Sequence, residues 1–248
     1  MNDFVAAGLG VLVLKPHDVV SLSSASVIAQ QPKVCVGAGT GLGEVSSRAR
    51  TQPQLKGTAL QTMHQVYMTW NKVTREYDVH ASEGGMTTFA AGSDDEWRLR
   101  QFVAKRSDNF VNIEGVVSGP GLVNVYDWVC AEAGASSAAG DPAAIAALAV
   151  AGDARAKLAV AAMVRAFGAG LRNAALHMMA GGGVYIAGGL SVKAGIREEI
   201  EASIHGHFLA DPHMRDVLAS FPLFLVLRED LGLAGALERA RRAVASAT

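Results

Sequence analysis

With 248 residues, of which 50% are apolar and 18% charged, the chain can fill a sizeable core, which excludes a disordered default state. Its 22 Lys and Arg offset 23 Asp and Glu to a net charge of -1, so no strong field draws it toward nucleic acid or anionic lipid, and neither is expected as a partner. The 2 cysteines, Cys35 and Cys130, supply neither a disulfide framework nor a zinc cluster and fit a reducing, cytoplasmic home.

The opening Met1-Asn2-Asp3-Phe4 has no basic n-region and no small-residue cleavage site, so no secretory signal is expected. From Phe4 to about Val20 the chain is apolar around Gly8 and Gly10 and is read as a helix. Lys33-Val34-Cys35-Val36 has the pattern of a buried strand that runs into the turn Gly37-Ala38-Gly39-Thr40-Gly41-Leu42-Gly43. Residues 44–60 are polar and mixed, and beyond them Val66–Trp70 and Arg75–Val79 alternate around Asn71-Lys72 as a hairpin. Ser93 and Glu96 stand in capping-box register, and Leu99, Phe102 and Val103 follow at helical spacing.

A second glycine turn, Ser118-Gly119-Pro120-Gly121, precedes a helical stripe of Leu122, Val125, Tyr126 and Val129. Asp141-Pro142 and Asp153 are N-cap candidates for an Ala-rich pair of helices reaching about Met178, where Lys157 and Arg165 interrupt the longest apolar run and argue against a membrane span. Val184-Tyr185-Ile186-Ala187 is a strand leaving through Gly188-Gly189, Phe221 to Leu227 is a further buried strand, and the tail from Leu233 is amphipathic. The rhythm is α/β.

The turn at Gly37 to Gly43 lacks the third glycine of a dinucleotide fingerprint and the Gly-Lys-Ser/Thr ending of a Walker loop. What remains is a set of backbone N–H groups able to converge on phosphate oxygens, or else an ordinary tight turn. The second exit at Gly188-Gly189 repeats the arrangement; two exits from one sheet suggest two walls of a ligand cleft, although close helix-to-strand packing would explain either alone. Three acids, Asp3, Glu83 and Glu114, lie near these turns or beside glycines, as binding groups or as inert solvated carboxylates. His205, His207 and His213 near Asp211 read as a solvated helix end rather than a zinc site, and no metal ligands are assigned.

Asn2-Asp3-Phe4, Gly37 to Gly43, Glu83-Gly84-Gly85, Ser118-Gly119-Pro120-Gly121-Leu122 and Gly183 to Gly189 occur in the order found in the bacterial-type glucokinases, and over its whole length the chain resembles that family of actin-like ATPases. The resemblance implies ATP-dependent phosphorylation of glucose to glucose 6-phosphate between a small domain and a ribonuclease-H-like large domain with a mixed sheet flanked by helices. It implies Asp3 as general base, Asn2, Glu83 and Glu114 as sugar ligands, and Gly37, Gly39, Thr40, Gly41, Gly188 and Gly189 as ATP-binding residues. Magnesium is implied through the phosphates, and a homodimer is one assembly the family allows.

Two features depart from the family pattern. Met86 stands where the family has a sugar-contacting histidine, and the loss of a hydrogen-bond donor is expected to weaken sugar binding by about 1–3 kcal/mol, roughly tenfold to a hundredfold. The family also places a small domain with an Asp-x-Gly-Gly-Thr phosphate loop ahead of Asn-Asp, which is expected to be mostly missing. The domain expectation is therefore 1–31 as a remnant of the small domain and hinge, 32–229 as the large domain, and 230–248 as a C-terminal helix returning toward the small one. Its apolar residues Leu233, Leu237, Ala240 and Val244 and the first block are expected to be exposed or repacked. Residues 44–80 are read as an insertion. A competing reading is a non-catalytic, kinase-derived nucleotide-binding or structural subunit.

Overall fold

The computed structural model describes residues 3–39, 64–137 and 139–245; Asn2, Thr40, Gly41 and the polar stretch 44–60 lie outside them, as does the side chain of Asp3. Among the described residues, β1 (Val19–Ser21), β2 (Lys33–Gly37), β3 (His64–Asn71), β4 (Glu76–Ser82), β5 (Val184–Ala187) and β6 (Leu223–Val226) form one mixed sheet in the order β1-β6-β5-β2-β3-β4.

Its centre is parallel, with Val34 beside Val184 and Val184 beside Leu223. These strands are short apolar runs because both faces are covered. Val34 and Val36 enter one core while Cys35 between them enters the other. Burial pushes the Cys35 thiol up to about 12, so this sulfur packs rather than reacts.

The β3–β4 hairpin forms around Asn71 as its alternation predicts. The Asn71 Oδ1 accepts the amides of Val73 and Thr74 at 2.9 and 3.2 Å, and Arg75 closes the turn at φ 56°. The hairpin, read as part of an insertion, is built into the central sheet. β3 pairs antiparallel with β2 from Lys33–Met68 to Gly37–His64, and the hairpin is the antiparallel wing of the central sheet.

One face carries the larger core beneath α2 (Asp94–Ala104), α3 (Gly119–Glu132), α4 (Pro142–Val150), α5 (Ala154–Met178), α6 (Arg197–Phe208) and α7 (Arg215–Ala219). Three of these open on caps legible in the sequence: Ser93 accepts from the Glu96 amide, Asp141 from those of Ala143 and Ala144, and Asp153 from that of Ala156. Glu96 does not complete a capping box. Its carboxylate instead takes the Gly92 amide and the Arg165 guanidinium, at 2.7 and 2.8 Å.

The other face is covered by α1 (Asp3–Val11) and α8 (Leu231–Ala245), packed on each other. Cβ atoms at Gly10 and Gly235 would collide with the carbonyl oxygens of Leu231 and Ala6, so the crossing depends on both glycines. The first block is helical only to Val11. Lys15, held extended ahead of Pro16, leads into a 3-10 turn at Pro16–Asp18, and the chain leaves it as β1, pairing antiparallel with β6. Leu233, Leu237, Ala240 and Val244 are exposed along α8, while Ala6 and Leu9 of α1 are buried.

Candidate active site

The two glycine exits lie side by side. Gly37 is in register with Ala187, the Ala38 amide donates to the Ala187 carbonyl at 3.2 Å, and Gly188 turns away at φ 95°, pressed against the Ala38 carbonyl. Gly188 and Gly189 wall a cleft of about 240 Å³ with Val192, Val226, Arg228, Glu229 and Leu231. A Cβ at Gly37 would lie 3.0 Å from the Phe4 ring, so the helix that Asp3 begins lies across the mouth of β2.

The two described acids come together by a different route. Glu83 precedes a 3-10 turn at Gly84–Met86, and the Glu114 amide donates to the Gly85 carbonyl at 3.1 Å. The strips beyond them are zipped by Ile113 to Thr87 and Phe89 to Val111, both at 2.9 Å. Burial pushes the Glu114 carboxyl up to about 7, and the negative charge of Glu83 adds to the rise. Met86 exposes 41% of its surface and receives the Asn112 amide on its sulfur at 3.4 Å. Gly84 has room for no side chain, because the buried Gln65 of β3 occupies the space; Gln65 itself accepts the Tyr67 hydroxyl at 2.9 Å.

One turn fastens the glycine side to the acid side. The Gly119 amide donates to the Gly39 carbonyl at 3.1 Å, and the neighbouring Ser118 hydroxyl donates to the Glu114 carbonyl at 2.8 Å while accepting the Gly121 amide at 2.9 Å. Gly37, Gly39, Gly188, Gly189, Glu83 and Glu114 thus belong to one connected structure. Asn2, Thr40, Gly41 and the Asp3 carboxylate lie outside the described residues. Sequence reasoning missed Gln65, the support under Gly84, and Asn112, the partner of Met86. The four-residue spacing of Glu114 and Ser118 places the Ser118 hydroxyl within reach of the Glu114 carbonyl, a local signal that the acid and the second turn are joined. Chemically, the assembly offers carboxylate acceptors for hydroxyls beside backbone able to approach phosphates.

A family model described as Glucokinase matches residues 1–64 and 57–243. The chain is 31% identical over 259 aligned positions to a glucokinase of Nostoc sp., covering 95% of this chain and 68% of that protein. Among solved structures, a glucokinase from an Antarctic psychrotroph superposes with TM-score 0.81 at 22% identity, covering 98% of this chain and 68% of the other. A Balamuthia mandrillaris glucokinase crystallised in complex with glucose gives TM-score 0.76 at 19% identity, covering 97% and 65%. These likenesses show a shared fold, a mixed sheet flanked by helices.

Proposed function

The chain belongs to the glucokinase family, a family of ATP-dependent glucose kinases, and we propose that it phosphorylates glucose at the 6-hydroxyl with Asp3 as the general base. The observation that carries this reading is the turn at Ser118-Gly119, which ties Gly39 on the glycine side to Glu114 on the acid side. A phosphoryl transfer needs these two halves held in register, since positioning and electrostatics supply most of its catalysis.

In this reading Glu83 and Glu114 accept sugar hydroxyls, and Asn2 holds a further hydroxyl next to the reacting one. Asp3 takes the proton of the attacking hydroxyl, a contribution typically worth about 10²–10⁴ in rate. Gly37, Gly39, Thr40 and Gly41 place backbone amides around the phosphates, and Gly188 with Gly189 borders the adenosine. Magnesium is assigned to the nucleotide phosphates, whose negative charge it would offset. We assign 32–229 to the large domain, with 1–31 and 230–248 on its small-domain side.

The test supplies the purified chain with glucose and magnesium ATP and measures ADP and glucose 6-phosphate together. Equimolar, glucose-dependent formation of both is expected. Nucleotide binding without turnover would favour the non-catalytic subunit and overturn the assignment.

A further inference from the structure

A second cleft, of about 600 Å³, opens between the start of α2, the middle of α5 and the end of α6. Its geometry begins at Gly168. A Cβ there would lie 2.5 Å from the His207 Cβ, so the last turn of α6 rests directly on α5. That contact sets His207 and the turn through Asp211 and His213 opposite Arg165, Ala169 and Arg172, which follow one another along a single face of α5. Ala90, Ala169 and Ala210 leave the space unfilled, while Gly92, Ser93 and Glu96 close the side toward α2.

The charges in this cleft are unevenly partnered. Glu96 is held at both oxygens, by the Arg165 guanidinium at 2.8 Å and the Gly92 amide at 2.7 Å. Asp211 Oδ1 accepts the amides of His213 and Met214 at 2.9 and 3.3 Å. Arg172 gives one N–H to the His207 carbonyl at 3.1 Å and has no carboxylate partner among the described residues. Burial, with the nearby Arg165 charge added, holds His207 below its ordinary range, so it serves as a neutral hydrogen-bonding ring. With one of its five N–H groups used, a half-buried guanidinium retains a fork suited to a phosphate group. The second oxygen of Asp211 and the Ser93 hydroxyl are groups that suit a polyol.

We propose that this cleft is a second ligand site, for a small phosphorylated sugar, with Arg172 reading the phosphate. It does not depend on the kinase reading. Ala90 at the edge of the cleft directly follows Phe89, whose amide donates to the Val111 carbonyl, so a short backbone strip links the turns of Glu83 and Glu114 to this edge.

Calorimetry on the full chain tests it, with glucose 6-phosphate as the probe and inorganic phosphate as the comparison. A Glu83→Ala/Glu114→Ala double variant, which removes the sugar carboxylates of the first site, should still bind glucose 6-phosphate with unchanged affinity. Arg172→Gln, which keeps a donor for the His207 carbonyl, should weaken that binding about tenfold. Should that variant fail to give a cooperative melt, Arg172→Lys keeps the charge without the fork and should still lower the affinity severalfold. Inorganic phosphate should bind more weakly than the sugar phosphate. The proposal is overturned if glucose 6-phosphate binding disappears in the double variant, if neither Arg172 substitution changes it, or if the chain binds phosphate and glucose 6-phosphate equally. Each of these outcomes can be read whether or not the chain turns over ATP.

Discussion

Gly188 presses so closely on Ala38 that a Cβ at Gly188 would overlap the Ala38 carbonyl oxygen. Its φ of 95° is also strained for any side chain. The contact joins the exits of β5 and β2, the two strands that carry the glycine side of the site. Gly188→Ala should therefore cost about 1–3 kcal/mol of stability and open the junction where the nucleotide is assigned. Thermal melting with and without ATP reads both effects. A variant that melts and binds ATP like the parent would show that the junction is not under this constraint.

Glu114 makes the site sensitive to pH near neutrality. Its folded pKa of about 7 lies above the ordinary value of 4.5, so folding favours the protonated form. Stability from this group is fully present below pH 4.5 and is lost as pH rises through about 7. Solvent screening of the half-exposed side chain keeps that loss modest. Sugar binding should run the other way, because the ionised carboxylate is the better acceptor for hydroxyls, and glucose affinity should increase as pH rises through about 7. Glu83→Gln removes the neighbouring negative charge and should move the midpoint downward. A profile unmoved by that substitution would mean that burial alone sets it.

Much of this architecture was legible because its signals are local. Apolar runs ending in glycine gave β2 and β5, alternation around Asn71 gave the hairpin, and Ser93, Asp141 and Asp153 announced three helices. The order of the glycine and acid motifs carries the resemblance to one family, and the contacts of Gly119 with Gly39 and of Ser118 with Glu114 join those motifs. What remained hidden depends on residues distant in sequence. Nothing beside Glu96 says that its partner is Arg165 rather than Ser93, and nothing beside Gly84 says that Gln65 will fill the space at its Cα. That the hairpin joins the central sheet was hidden as well, because pairing of β3 with β2 spans the unpatterned stretch between them.

Met86 lies on the same short turn as Glu83, with Asn112 donating to its sulfur. A histidine there could offer a ring N–H to a sugar hydroxyl and meet Asn112 with its other nitrogen. Met86→His should tighten glucose binding by about 1–3 kcal/mol, roughly tenfold to a hundredfold. Intrinsic tryptophan fluorescence or calorimetry measures the change. Unaltered affinity would place this side chain away from the sugar.

The packing of α1 on α8 yields a prediction that separates positioning from binding. Gly10 and Gly235 let the helices cross without side chains between them, and α8 is itself anchored to β4: Glu238 holds Arg241 and Arg242, and Arg242 donates to the Tyr77 carbonyl at 3.2 Å and pairs with Glu76 at 3.3 Å. On the proposed role of Asp3, this anchored crossing fixes where the general base begins. Gly235→Ala drives a methyl group into the Ala6 carbonyl and should displace α1 as a body, while leaving the Glu83 and Glu114 turns, which are held by the Glu114 amide on the Gly85 carbonyl, unchanged. The rate of phosphoryl transfer should fall by about 10², the cost of roughly 1 Å of misplacement, with glucose and ATP dissociation constants close to those of the parent. Asp3→Asn sets the floor, and Gly235→Ala in that background should cause little further loss in rate, because the base it would misplace is already gone. Equal rate losses from Gly235→Ala in both backgrounds would mean that α8 acts on the enzyme by some route other than Asp3.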